Sequence, residues 1–150
     1  MPQTIRHEFT LKVLPAGAAV RLLGRDPWTR GDWPGAYGQD GHAIPAVPPS
    51  LPEGVSVAVT GTEWVGLRDS RDPNDLLVNG ARLQSSWVGE AFTVDVTLPA
   101  GPARRVALYC VSRHGPEPAR RAQEVAALDP ATGAVLDVQV LDDARGDFLW

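Results

Sequence analysis

Glycine and proline punctuate this chain too densely for a helical architecture: 15 glycines and 14 prolines fall among 150 residues. Inside a helix a glycine costs roughly 1 kcal/mol and a proline about 3 kcal/mol, and a proline also removes a backbone donor. They recur roughly every ten residues, which is the rhythm of short strands joined by turns. A helical bundle is therefore excluded. About eight strands at this spacing imply an all-β chain, an antiparallel two-sheet sandwich of jelly-roll-like form. The length fits one domain, residues 1–150, and a hydrophobic content of 43% is enough to fill its core.

The clearest strands lie in the second half. Phe92, Val94, Val96 and Leu98 alternate with Thr93, Asp95 and Thr97, the period of a half-buried strand. Val55 to Thr60 alternates likewise. Residues 18–23 read as a strand ended by Gly24, a short strand surrounds Trp64 and Val65, and Arg82 to Val88 reads as one strand turning at Gly89-Glu90. Val106, Leu108 and Cys110 share a face opposite Ala107, Tyr109 and Val111; two apolar faces place that strand centrally, and the proline-rich run from His114 to Pro118 breaks it. Residues 121–128 and 134–141 form a hairpin around Asp129 to Gly133, with Pro130 supplying a fixed φ and Gly133 a positive one. The connections are long. Residues 24–41 are a glycine-rich loop, residues 45–54 carry four prolines that cannot pair inside a sheet, and residues 68–75 are a charged turn.

Several function classes fall away on composition. The net charge is −4, lysine occurs only at Lys12, and the arginines are scattered, so nothing grips a phosphate backbone. A lone cysteine, Cys110, excludes an internal disulfide and reads as buried packing. His7, His42 and His114 are too far apart for a local zinc motif. The first residues have no apolar core of a secretory signal, and no apolar run approaches the roughly 18 residues of a membrane span. There is no Gly-x-Ser-x-Gly elbow, no selected pair among Glu53, Glu63, Glu90 and Glu124, and no phosphate loop ahead of a helix. The expectation is a chain without catalytic residues or cofactor.

Two clusters remain as candidate binding residues. Asp69, Asp72, Asn74 and Asp75 offer oxygen ligands of the kind calcium takes. Their spacing matches no EF-hand, and Arg68 and Arg71 offset the charge, so a solvated turn capped by its own side chains is the plainer reading. Trp28, Trp33, Tyr37 and Asp40 are the better set, because an aromatic face beside polar groups is how a β-sandwich holds a sugar ring. Packing competes with that use, and Trp87, beside Val88 on a strand, reads as a buried anchor.

Thr29 to His42, Thr-Arg-Gly-Asp-Trp-Pro-Gly-Ala-Tyr-Gly-Gln-Asp-Gly-His, resembles the T-x-G-N-W-x-G-x-Y-G-x-D-G-Y signature of a bacterial accessory β-sandwich domain. That domain recurs at the ends of large secreted or surface proteins, beside glycoside-active or adhesive modules. The blocks Arg82 to Trp87, Phe92 to Leu98, Val106 to Tyr109, Arg121 to Val125 and Leu128 to Asp137 agree in order and spacing, so the resemblance runs from about residue 19 to 150. It implies a jelly-roll-like sandwich of the carbohydrate-binding-module type, secreted or on the surface, with no ligand specified. Asp32 and His42 stand where the family has Asn and Tyr, and the chain reaches Trp150 where the family continues into closing strands. The N-terminal arm, residues 1–17, carries strand-like residues from Thr4 to Leu14 and is expected to fill that gap. The hinge at Pro15-Ala-Gly17 favours doing so in another copy.

The expected function is a non-catalytic module that binds carbohydrate or cell-surface glycan. The rival is an assembly subunit that pairs an open sheet edge with another chain, giving a homo-oligomer.

Overall fold

The computed structural model describes residues 5–13, 19–111, 123–141 and 148–149, the first and last of these segments as backbone strands. The strands are β1 (Ile5–Val13), β2 (Gly24–Arg25), β3 (Ser56–Val59), β4 (Thr62–Val65), β5 (Leu76–Val78) and β6 (Ala81–Leu83). They continue with β7 (Ser85–Val88), β8 (Thr93–Leu98), β9 (Ala107–Leu108), β10 (Gln123–Leu128), β11 (Val135–Leu141) and β12 (Phe148–Leu149). A 3-10 turn, Arg30–Asp32, runs into the one-turn helix α1 (Trp33–Tyr37). The chain is all-β, as the turn spacing requires.

The largest sheet has the order β11-β10-β1-β8-β3, and a second has the order β2-β12-β9. Two ribbons, β4-β7 and β5-β6, complete the pairing. Every described strand pair is antiparallel except those of β1, which runs parallel to both β10 and β8. An all-antiparallel expectation therefore fails at its central strand. The arm is a strand over Ile5–Val13, as its composition implies, and in the single chain it pairs with β10 and β8. Its register sets Phe9 level with Ala127 and Val94, and Leu11 level with Val96. Pro15 to Gly17, the proposed hinge, and the His114 to Pro118 break lie outside the described residues.

One core follows from the alternation in β8 and β10. Val96, Leu98, Val125, Ala127 and Leu141 are buried together. Val55, Val57 and Val94 pack beside them, and Val20, Leu22, Val106, Leu108 and Cys110 close over them from the segments leading into β2 and around β9. Fully burying each such aliphatic side chain is worth about 1.5–3 kcal/mol. Cys110 is half-buried against this core, a packing role.

Three strand expectations change. Residues 19–23 form no strand; Val20 and Leu22 pack against the core instead. Arg82 to Val88 is two strands: Gln84 exchanges backbone bonds with Gly66 and Leu67 (both 2.8 Å), so β6 pairs with β5 while β7 pairs with β4. Residues 106–111 contribute only β9, at an edge, not a central strand. Both its faces are apolar for another reason: Val106, Leu108 and Cys110 face the core, while the Tyr109 ring meets Trp33 at 5.5 Å. The hairpin from β10 to β11 forms as read. Gly133 has φ +70° and donates to Asp129 O at 2.7 Å, and Ala131 N is capped by the Asp129 carboxylate at 2.8 Å.

Candidate functional site

The loop from Asp26 to His42 is built around one carboxylate. Asp26 Oδ1 accepts from the backbone N–H groups of Trp28 (2.9 Å) and Thr29 (3.0 Å). Its Oδ2 accepts from Thr29 Oγ1 at 2.5 Å and from the Tyr37 hydroxyl at 2.6 Å. Four donors on one carboxylate favour its charged form. The Thr29 and Tyr37 hydroxyls hold its pKa far below the ordinary carboxylate range, against the opposing effect of burial. The same bond to Asp26, with burial adding to it, raises the Tyr37 phenol above its ordinary value. Asp26 lies three residues ahead of Thr29, outside the residues singled out from the sequence. The signal that finds it is the Asp-x-x-Thr spacing of a side-chain cap.

Behind this hub the loop is clamped to the turn at residues 72–75. Gly31 N donates to Pro73 O at 3.0 Å, and a Cβ on Gly31 would lie 2.0 Å from Asp75 O. Arg82 donates to Asp75 O and to Asp32 Oδ1, both at 2.9 Å, while Tyr109 OH donates to Asn74 O at 2.7 Å. Asp32, where the resembled signature has Asn, thus anchors an arginine. His42 Nδ1 donates to Gly38 O at 3.2 Å, and the His42 backbone pairs with Ser50. A Cβ on Gly38 would meet Pro34 O at 2.8 Å, and one on Gly41 would meet Pro52 Cδ at 2.6 Å. The glycines at 31, 38 and 41 are thereby accounted for by close packing.

The candidate aromatics separate. Trp33, expected as a surface ring, is 6% exposed, with its ring 4.1 Å from Tyr37 and 5.5 Å from Tyr109. Its place in a turn that must fold over something apolar draws it inward, so it offers no face to a ligand. Tyr37 is half-buried and spends its hydroxyl on Asp26. Trp28 is 85% exposed, although its own backbone is fixed by Asp26. Asp40 is exposed beyond α1. Trp87, expected as a buried anchor, is half-buried, and Trp64 is exposed.

The acidic turn is used internally. Asp72 Oδ1 accepts from Asn74 N (2.9 Å) and Asn74 Nδ2 (3.0 Å), and Ser70 Oγ accepts from Asp72 N at 3.1 Å. Asp69 is exposed whereas Asp75 is buried, and no group of three His, Cys, Asp or Glu among the described residues could hold a metal ion. Asp69, Asp72 and Asp75 are not gathered as a calcium site. Among the described residues, no helix is long and apolar enough to cross a membrane. Compared with known proteins, the chain matches no family model, no curated protein and no solved structure.

Proposed function

We propose that this chain is a non-catalytic, jelly-roll-like β-sandwich module that binds carbohydrate through Trp28. The observation that carries the reading is a tryptophan 85% exposed on a loop whose backbone is held by the Asp26 hydrogen bonds. A ring of that size in water is an unused apolar face, and a fixed loop loses little entropy when a sugar stacks on it. Exposed Asp40, on the same loop, adds a polar group within the segment. The two-sheet reading draws support from the single core shared by strands of the five-stranded sheet and residues flanking β2 and β9. The test is an immobilised-glycan panel probed with the wild-type chain and Trp28→Ala. A signal lost in the variant supports the reading, and a wild-type chain that binds nothing overturns it.

A second reading has its own observation. The edge strand β11 exposes Val135, Val138 and Val140, at 51%, 41% and 48%. An apolar edge is a template for another strand, although Arg25 already donates to Val140 O at 3.2 Å. Self-association through β11 predicts a dimer mass by sedimentation that Val138→Lys returns to monomer; a monomeric wild type excludes it.

A further inference from the structure

Two tight turns from distant parts of the chain flank an open depression of about 230 Å³. The first spans Ile44–Val47, closed by Val47 N donating to Ile44 O at 3.1 Å, with Pro45 leading into Ala46 at φ +61°. This is the pattern of a type II turn, with alanine where glycine is usual. The second is the hairpin turn between β5 and β6, where Asn79 (φ +51°) and Gly80 (φ +82°) form a type I′ pair.

The lining presents polar and apolar surface in about equal parts. Val47, Pro48, Val78 and Leu83 give it an aliphatic wall without an aromatic ring. Asn79 supplies one amide, and Arg68 supplies the only charge on the lining. The Arg68 side chain makes no ion pair or hydrogen bond with any described residue, whereas Arg82 is engaged by Asp75 O and Asp32 Oδ1. An aliphatic wall does not suit a sugar, and an unengaged guanidinium suits a carboxylate, which it grips through paired N–H groups. The volume is below the roughly 300–1,000 Å³ of drug-sized pockets, so the fitting molecule is small.

We propose that this depression binds a small branched aliphatic carboxylate, its chain against Val47, Val78 and Leu83 and its carboxylate on Arg68. The site is separate from Trp28 and does not rest on carbohydrate binding. Isovalerate is the probe, titrated into the full chain and followed by the backbone amide signals of Ala46, Val47, Arg68, Val78 and Asn79. Saturable shifts confined to these signals are expected. Isovaleramide, with the same shape and no charge, should bind about tenfold more weakly or worse, because it loses a charge-assisted hydrogen bond. Arg68→Gln should weaken isovalerate to the same degree, and Trp28→Ala should leave it unchanged. Absence of saturable shifts, equal binding of the amide, or full affinity in Arg68→Gln would each overturn the proposal. The amide comparison stands even if the variant fails to fold.

Discussion

Replacing Gly31 by alanine tests the clamp that holds the loop from Asp26 to His42 against residues 72–75. The added Cβ would lie 2.0 Å from Asp75 O and 2.6 Å from Arg82 Nη1, well inside any real contact. The backbone oxygen belongs to a turn tied down by Asp72 and Asn74, so the loop must lift instead. Lifting strains packing by about 1–3 kcal/mol. It also loosens the Gly31 N to Pro73 O bond, worth roughly 0.5–1.5 kcal/mol, and the Arg82 bond to Asp75 O, a charged donor worth about 1.5–3 kcal/mol. The helical preference of alanine returns less than about 1 kcal/mol. The expected loss is on the order of 3–5 kcal/mol, a large share of a domain's stability. For a chain of this length that lowers the melting temperature by about 10 °C or more. Thermal unfolding followed by tryptophan fluorescence measures it. Gly35→Ala, in α1 with open space around its Cβ, is the control and should be neutral or slightly stabilising. Equal melting of Gly31→Ala and wild type would refute the clamp.

The β10–β11 turn gives a second prediction: Gly133→Val should cost about 1–2 kcal/mol and Gly133→Asn less, read from urea midpoints, because φ is +70° there and space is open. Ala46→Gly should stabilise the chain by about 1 kcal/mol in the same assay, relieving an alanine at φ +61°. Acid unfolding should report Asp26. Its pKa is lower in the folded chain than in the unfolded one, so its contribution is present above the unfolded value, about 3.9, and lost as pH falls through the depressed folded value. Asp26→Asn should therefore flatten the acid limb of stability against pH, and an unchanged limb would remove Asp26 from the account.

What was readable beforehand follows from the range of the forces involved. The alternation in β8 and the Asp129–Gly133 turn are local, so periodicity and turn chemistry reveal them. The Asn79-Gly80 turn is equally local, and that pair is a strong hairpin signal. Other features depend on partners far along the chain. The parallel seat of β1 between β10 and β8, the division of Arg82 to Val88 at Gln84, and the edge position of β9 are decided by pairing with distant backbone. Trp33 and Trp28 look alike in sequence. Their fates diverge because Tyr37 and Tyr109 close over one ring and nothing draws the other inward.

On this reading the loop from Asp26 to His42 is scaffolding that presents Trp28. The most direct measurement is side-by-side binding of wild type, Trp28→Ala and Trp28→Phe to immobilised glycans, with thermal melts on all three. A ligand bound by wild type should be lost in Trp28→Ala and largely kept in Trp28→Phe, with melting unchanged because the side chain is 85% exposed. Binding that survives Trp28→Ala, or a melt that falls with it, would contradict the claim.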